Sequence, residues 1–116
     1  PKAPRWVQDP DRTIVPPRAS NVVPTLVDID TDGDLDLFLG AANGVVLFYR
    51  NTGSPKQPVF TLVTERLDNV KAGRRSVPAF LDINGDGLLD LLVGQEANPV
   101  LAYLNIGTRT EPGFSL

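Results

Sequence analysis

The sequence predicts an all-β chain built from two four-stranded antiparallel sheets, and three observations carry that prediction. Short apolar runs recur between turn-forming clusters, and no segment has helical spacing long enough to cover a sheet. Eleven Pro and ten Gly in 116 residues supply the turns that many short strands need. The chain also repeats itself at an offset of 54 residues without a gap. Pro24 matches Pro78, Ile29 matches Ile83, Gly40 matches Gly94 and Tyr49 matches Tyr103. Asn51-Thr52-Gly53 matches Asn105-Ile106-Gly107, and Pro58-x-Phe60 matches Pro112-x-Phe114. A further step upstream lands on Pro4-x-Trp6. Residues 1–20 therefore read as the outer strand of a preceding unit plus a linker, 21–66 as the first unit, and 67–116 as a linker and the second unit.

Within a unit the elements follow in order. Residues 22–27 form a strand running into an acidic stretch, and residues 36–40 leave it, so the acidic loop joins an antiparallel pair. Asn43-Gly44 signals a hairpin, because both residues accept positive φ. Residues 45–50 form a third strand closed by Asn51-Thr52-Gly53-Ser54-Pro55, and residues 60–64 a fourth. Residues 67–76, with Asp68-Asn69 and Gly73, read as the connection to the next unit; residues 9–20, with three Pro, are its counterpart. The first three strands are apolar on consecutive residues, which implies burial on both faces. Sheets covered on both faces without helices must stack on other sheets, and four-stranded sheets repeated at this period are the blades of a β-propeller. A two-sheet sandwich of facing units is the alternative, but it leaves each outer face apolar and wet.

The acidic stretch carries the chemistry. Residues 28–36 read Asp-Ile-Asp-Thr-Asp-Gly-Asp-Leu-Asp, five carboxylates with no Lys or Arg among them. Side-chain oxygens at positions 1, 3, 5 and 9, a main-chain carbonyl at position 7 and Gly at position 6 fit a calcium loop. Asp28, Asp30, Asp32 and Asp36 are then side-chain ligands; Asp34 offers its carbonyl, its carboxylate being a charge behind the first ring of ligands. The second unit repeats the pattern with Asp82, Asn84, Asp86 and Asp90, Gly87 at position 6, and Leu88 at position 7, where only a carbonyl can serve. About two calcium ions per chain follow, the second bound more weakly because three carboxylates replace five. The eight Asp of the loops account for the acidity: without them the net charge of −3 becomes +5, and two bound calcium ions bring the whole chain to +1. The charge balance points to no nucleic-acid partner.

With no Cys and no His, disulfides, thiolate zinc sites, Ser-His-Asp and Cys-His pairs and imidazole bases are all excluded. Most remaining carboxylates sit in the loops, and Glu65, Glu96 and Glu111 are isolated in sequence, so the chain reads as non-catalytic; a part in glycan processing is the less favoured alternative. No apolar run approaches the roughly 20 residues of a membrane helix. Millimolar calcium outside the cytoplasm suits such loops, which predicts an extracellular, cell-surface or periplasmic setting. The start at Pro1 without a Met is that expected of a mature or excised segment.

At this point the pattern Pro-x-x-x-Asp-Ile-Asp-x-Asp-Gly-Asp-x-Asp-Leu-x-x-Gly, followed by Asn-Gly and Tyr-x-Asn-Thr-Gly, resembles the FG-GAP/VCBS repeat, the blade of integrin-α-like propellers. The resemblance covers nearly the whole chain, although Phe38-Leu39-Gly40-Ala41-Ala42 departs from the literal name-giving motif. It implies calcium held by Asp28, Asp30, Asp32, Asp36 and by Asp82, Asn84, Asp86, Asp90. It also implies a role in adhesion, carbohydrate binding or as a non-catalytic part of a secreted or surface protein. Tyr49, Tyr103, Trp6, Phe60 and Phe114 have the look of sugar-stacking residues, but their recurrence favours packing. Arg74-Arg75 reads as a solvated loop before an anion site.

Two blades cover only the surfaces between them. One apolar face of each is expected to stay exposed, including half the side chains of Leu37-Phe38-Leu39 and Leu91-Leu92-Val93. The expected partners are copies of the chain, in a homotrimeric six-bladed or homotetrameric eight-bladed ring, or further blades of a longer chain, with a protein or glycan as ligand. A purely structural, self-assembling propeller unit is the alternative function.

Overall fold

The computed structural model describes residues 6, 7, 9, 13–97 and 99–116. It contains two four-stranded antiparallel sheets: β1 (Val23–Val27), β2 (Asp36–Gly40), β3 (Val46–Asn51) and β4 (Phe60–Thr64), then β5 (Val77–Leu81), β6 (Asp90–Gly94), β7 (Leu101–Asn105) and β8 (Phe114–Ser115). Each sheet is a simple meander, and each acidic loop joins the first strand of its sheet to the second. Register is the same in both: Val27 faces Asp36, and Leu81 faces Asp90. The apolar and β-branched residues of these strands drive both pairings, and the Asp/Gly stretches between them cannot extend the ladder.

Cross-strand pairing sorts the side chains into faces. In the first sheet Phe38 pairs with Phe48 and their rings stack at 4.5 Å, while Leu37 pairs with Tyr49 and Leu39 with Leu47 on the opposite side. The Phe38 face packs on the second sheet, in one buried cluster with Leu91, Val93, Tyr103 and Phe114; Phe80 lies 4.5 Å from Phe38. Thr25 Oγ1 donates to the Pro78 carbonyl at 2.8 Å, joining the first strands of the two sheets. At the 54-residue offset Leu91, Val93 and Tyr103 are the counterparts of Leu37, Leu39 and Tyr49, which lie on the far face of the first sheet. The contact is therefore head-to-tail, front of one unit on back of the other. A sandwich of two like faces is not what forms.

Several expectations need correction. Leu37 and Leu39 are not exposed: they are 5% and 4% accessible, in a second cluster with Leu47 and Tyr49 against which Ile14, Ala19 and Phe60 pack. The segment before the first unit covers that face. The open face belongs to the second unit, where Val77, Leu81 and Leu104 are 44%, 45% and 41% exposed and Leu92 is half-buried. Burial on both faces holds for β2 and most of β3, whereas β1 alternates between half-buried and exposed residues. At the Asn43-Gly44 turn only Gly44 has positive φ, at +87°, and its N–H donates to the Ala41 carbonyl at 3.1 Å. A Cβ there would fall 2.2 Å from the Ala72 carbonyl oxygen, so close approach of the linker demands Gly as much as the turn does. Pro4 and Arg5 lie outside the described residues; Trp6 and Val7 are 93% and 87% exposed and belong to no strand, so Trp6 does not share the packing of Phe60 and Phe114.

The linker at 67–76 is part of the core. Leu67, Val70 and Ala72 are buried in the cluster between the sheets. A 3-10 turn over Leu67–Asn69 holds Asp68 and Asn69 at φ +41° and +61°, a left-handed conformation that Asn and Asp tolerate better than most residues. Ser76 is fully buried; its hydroxyl donates to the Val45 carbonyl at 2.6 Å and accepts the Ala41 N–H at 2.9 Å. The clasp of linker to hairpin repeats: Ala42 N–H donates to the Ser20 carbonyl, and Glu96 N–H to the Arg74 carbonyl.

Candidate metal centre

The first loop begins where β1 ends, and its own carboxylates organise it. Asp28 accepts the N–H groups of Asp32 (3.2 Å) and Gly33 (2.9 Å), and Asp32 accepts that of Asp34 (2.8 Å). Gly33 has φ +92°, the sharp turn that lets the chain wrap back over Asp28. Carboxylate oxygens of Asp28, Asp30 and Asp32 come within 4.8 Å of one another. Asp34 is half-buried beside them.

In the second loop Asp82 accepts N–H groups from Gly85 (2.8 Å), Asp86 (3.2 Å) and Gly87 (2.9 Å), and Asp86 accepts that of Leu88 (2.9 Å). Asn84 Oδ1 accepts the Asp86 N–H at 3.3 Å. The three carboxylates gathered within 4.8 Å are Asp82, Asp86 and Asp90. Among the described residues these two loops hold the clusters of three or more potential metal-ligating side chains. Glu65, Glu96 and Glu111 join neither.

Position 9 anchors each loop to the sheet. Asp36 is fully buried and accepts the N–H groups of Ile29 (3.3 Å) and Asn51 (2.9 Å); Asp90, equally buried, accepts those of Ile83 (2.8 Å) and Asn105 (2.7 Å). Asn51 in turn accepts the N–H groups of Gly53 and Val59, and Asn105 those of Gly107 and Gly113. Sequence reasoning used Asn-x-Gly only as a marker of the repeat and missed that its Asn extends the loop's hydrogen-bond network across the sheet. The recurrence itself was the available signal. Tyr49 and Tyr103 are buried at 5% and 6% exposure, in keeping with packing. Arg75 pairs with Glu96 at 3.6 Å, so the Arg74-Arg75 loop carries its own counter-charge.

The electrostatics of the two loops differ. Burial, then the charges of Asp36 and Asp32, push the Asp30 carboxyl up to about 6. Burial also raises Asp36, against the N–H groups of Asn51 and Ile29 that favour its ionised form. Asp82 is held below the usual carboxylate range by the N–H of Gly87 first, with those of Gly85 and Asp86 adding to it. Asp30 Oδ1 is buried without a hydrogen-bond partner among the described residues. A buried charged oxygen left bare is costly unless something binds it. All donors here are hard oxygens, so the residues fit a calcium-type cation, which would supply charge neutralisation at the centre of the loop.

Four-stranded meanders stacked front to back, each with an acidic loop between its first and second strands, define a repeat module of the β-propeller type. Residues 28–93, more than half the chain, match the model of the FG-GAP-like repeat. The chain belongs to that family, whose repeats fold as propeller blades and are typically non-catalytic. No curated protein and no solved structure matches it. Repeats of this family occur in extracellular or surface proteins, and no helix among the described residues is long and apolar enough to cross a membrane.

Proposed function

We propose that the chain is a calcium-stabilised, non-catalytic propeller module of an extracellular or surface protein, presenting loops to a protein or carbohydrate in adhesion or recognition. The observation that carries the calcium reading is the bare, buried Asp30 Oδ1 among the gathered carboxylates of Asp28 and Asp32. The ligand set proposed is Asp28, Asp30, Asp32 and Asp36 with the Asp34 carbonyl, and Asp82, Asn84, Asp86 and Asp90 with the Leu88 carbonyl.

Calcium titration on single-loop variants tests this. Asp86→Ala leaves the first loop and Asp32→Ala the second. At pH 7.5 the first loop is expected to bind more tightly, its five carboxylates outweighing three. Lowering the pH to 5.5 should weaken the first loop selectively, because the proton on Asp30 competes with the ion below about 6, while Asp82 holds its charge to lower pH. Without calcium the sign reverses: the raised Asp30 favours the folded state below its ordinary range, and that contribution is lost as pH rises through about 6. Equal pH profiles at the two loops would contradict the assignment.

We further propose that other blades complete the propeller, supplied by copies of this chain as a trimer or tetramer or by a longer chain. The support is the head-to-tail contact: the open face bearing Val77, Leu81 and Leu104 has, on the first unit, a counterpart face already stacked on a blade. Light scattering with calcium should give three or four times 12.5 kDa if copies suffice. A stable 12.5 kDa monomer would rule out the ring of copies.

A further inference from the structure

We propose that Arg50 is the resident counter-charge of the first acidic loop, holding Asp30 in its buried place when no cation is bound and keeping the loop's cation affinity below what five carboxylates alone would give. The inference rests on the calcium reading above for its second half only. Asp30 is 8% exposed, whereas its counterpart Asn84 is exposed. A carboxylate so buried needs a cation close by. Arg50 Nε lies 3.3 Å from Asp30 Oδ2, with no hydrogen-bond partner of its own among the described residues. The guanidinium stands over the Phe48 ring, 5.4 Å from its centroid, a cation–π contact that helps to hold it.

The repeat provides an internal control. Position by position, Asp30 and Arg50 correspond to Asn84 and Leu104, so the second unit lacks both charges of the pair. Arg109 does reach the second loop, 3.4 Å from where a Cβ on Gly87 would lie, but it is exposed and makes no ion pair with the loop's carboxylates among the described residues. The pairing also leaves the essential atom free. Arg50 takes Oδ2, and the bare Oδ1 remains for an ion. Arg50 also offsets the charge of Asp36. Beyond the guanidinium lies a cavity of about 310 Å³ between the two sheets, walled by Arg66, Asp68, Glu111 and Phe114 as well. Asp68 there is engaged by the Phe114 N–H at 2.9 Å.

The test compares Arg50→Leu, Arg50→Lys and the double variant Asp30→Asn/Arg50→Leu, all on the Asp86→Ala background that silences the second loop. Urea melts in chelator and calcium titrations are read for each. Arg50→Leu is expected to lower the midpoint in chelator, and Arg50→Lys to retain it. Arg50→Leu should also tighten calcium binding by roughly tenfold, the change for one elementary charge facing a divalent ion across about 6 Å of water-like dielectric. The double variant, which gives the first unit the residues of the second, should recover the midpoint in chelator. An unchanged midpoint for Arg50→Leu overturns the proposal, as does a loss of stability and affinity together, which would mark Arg50 as a packing residue. Absence of calcium binding in the parent overturns the calcium reading itself; the chelator melts, which involve no ion, then support or overturn the counter-charge role alone.

Discussion

Replacing Asp36 with alanine is expected to destabilise the protein by about 2 to 6 kcal/mol even in chelator, the sum for two buried N–H groups each left unpaired at about 1 to 3 kcal/mol. The groups are those of Ile29, at the entry to the loop, and Asn51, at the end of β3. Losing them uncouples the loop from both neighbouring strands, and the side chain is fully buried, so water does not replace it. Asp32→Ala is the control. Asp32 is exposed, and its substitution in chelator should cost little, about 0.5 kcal/mol or less. Urea denaturation of both variants in chelator gives the comparison, and similar midpoints would show that position 9 is a ligand position without the structural role described here.

Chelation of the intact protein should lower its melting temperature by roughly 10 °C. An ion bound at 100 times its dissociation constant stabilises the folded state by about 2.7 kcal/mol, and for a domain of this size each kcal/mol moves the midpoint by about 4 °C. The physical source lies in the cluster itself. With no ion, Asp28, Asp30 and Asp32 hold their oxygens within 4.8 Å of one another, and Asp30 is pushed up to about 6 by burial and by the neighbouring charges. Scanning calorimetry with calcium and then with chelator measures the shift. Identical melting curves would remove calcium from the account of stability.

Much of this was legible in the sequence, because strands, turns and ligand spacing are local properties. The bounds of β2 and β4 coincide with the apolar runs, and both acidic loops fall between first and second strands as their composition required. What escaped depends on distant residues. Ser76 gives no local sign that it will be buried under the Ala41 hairpin 35 residues away, and its repeat counterpart is the apolar Val22. Leu67 and Val70 sit among turn formers and have no periodicity, so their burial follows only from how the two sheets approach. Arg50 lies near the end of β3 and meets Asp30 of the preceding acidic loop, a contact that no spacing rule encodes. The cover that Ile14 and Ala19 give to Leu37 and Leu39 was missed because the Pro-rich segment reads as a connection and nothing more.

The front-to-back stacking of the two units has a consequence for how the chain tolerates change in length. The second unit receives the first on its face bearing Leu91 and Val93, while the matching face of the first, bearing Leu37 and Leu39, is covered by Ile14 and Ala19. Adding a whole unit of 54 residues between Thr64 and Leu67 would recreate the same joint, with Ser76 or its replacement again clasping the preceding hairpin. Stability should then rise with unit number in steps set by one joint and one unit, as in a nearest-neighbour chain. An insertion of another length at that point adds no such joint, so each further step in stability requires a whole unit.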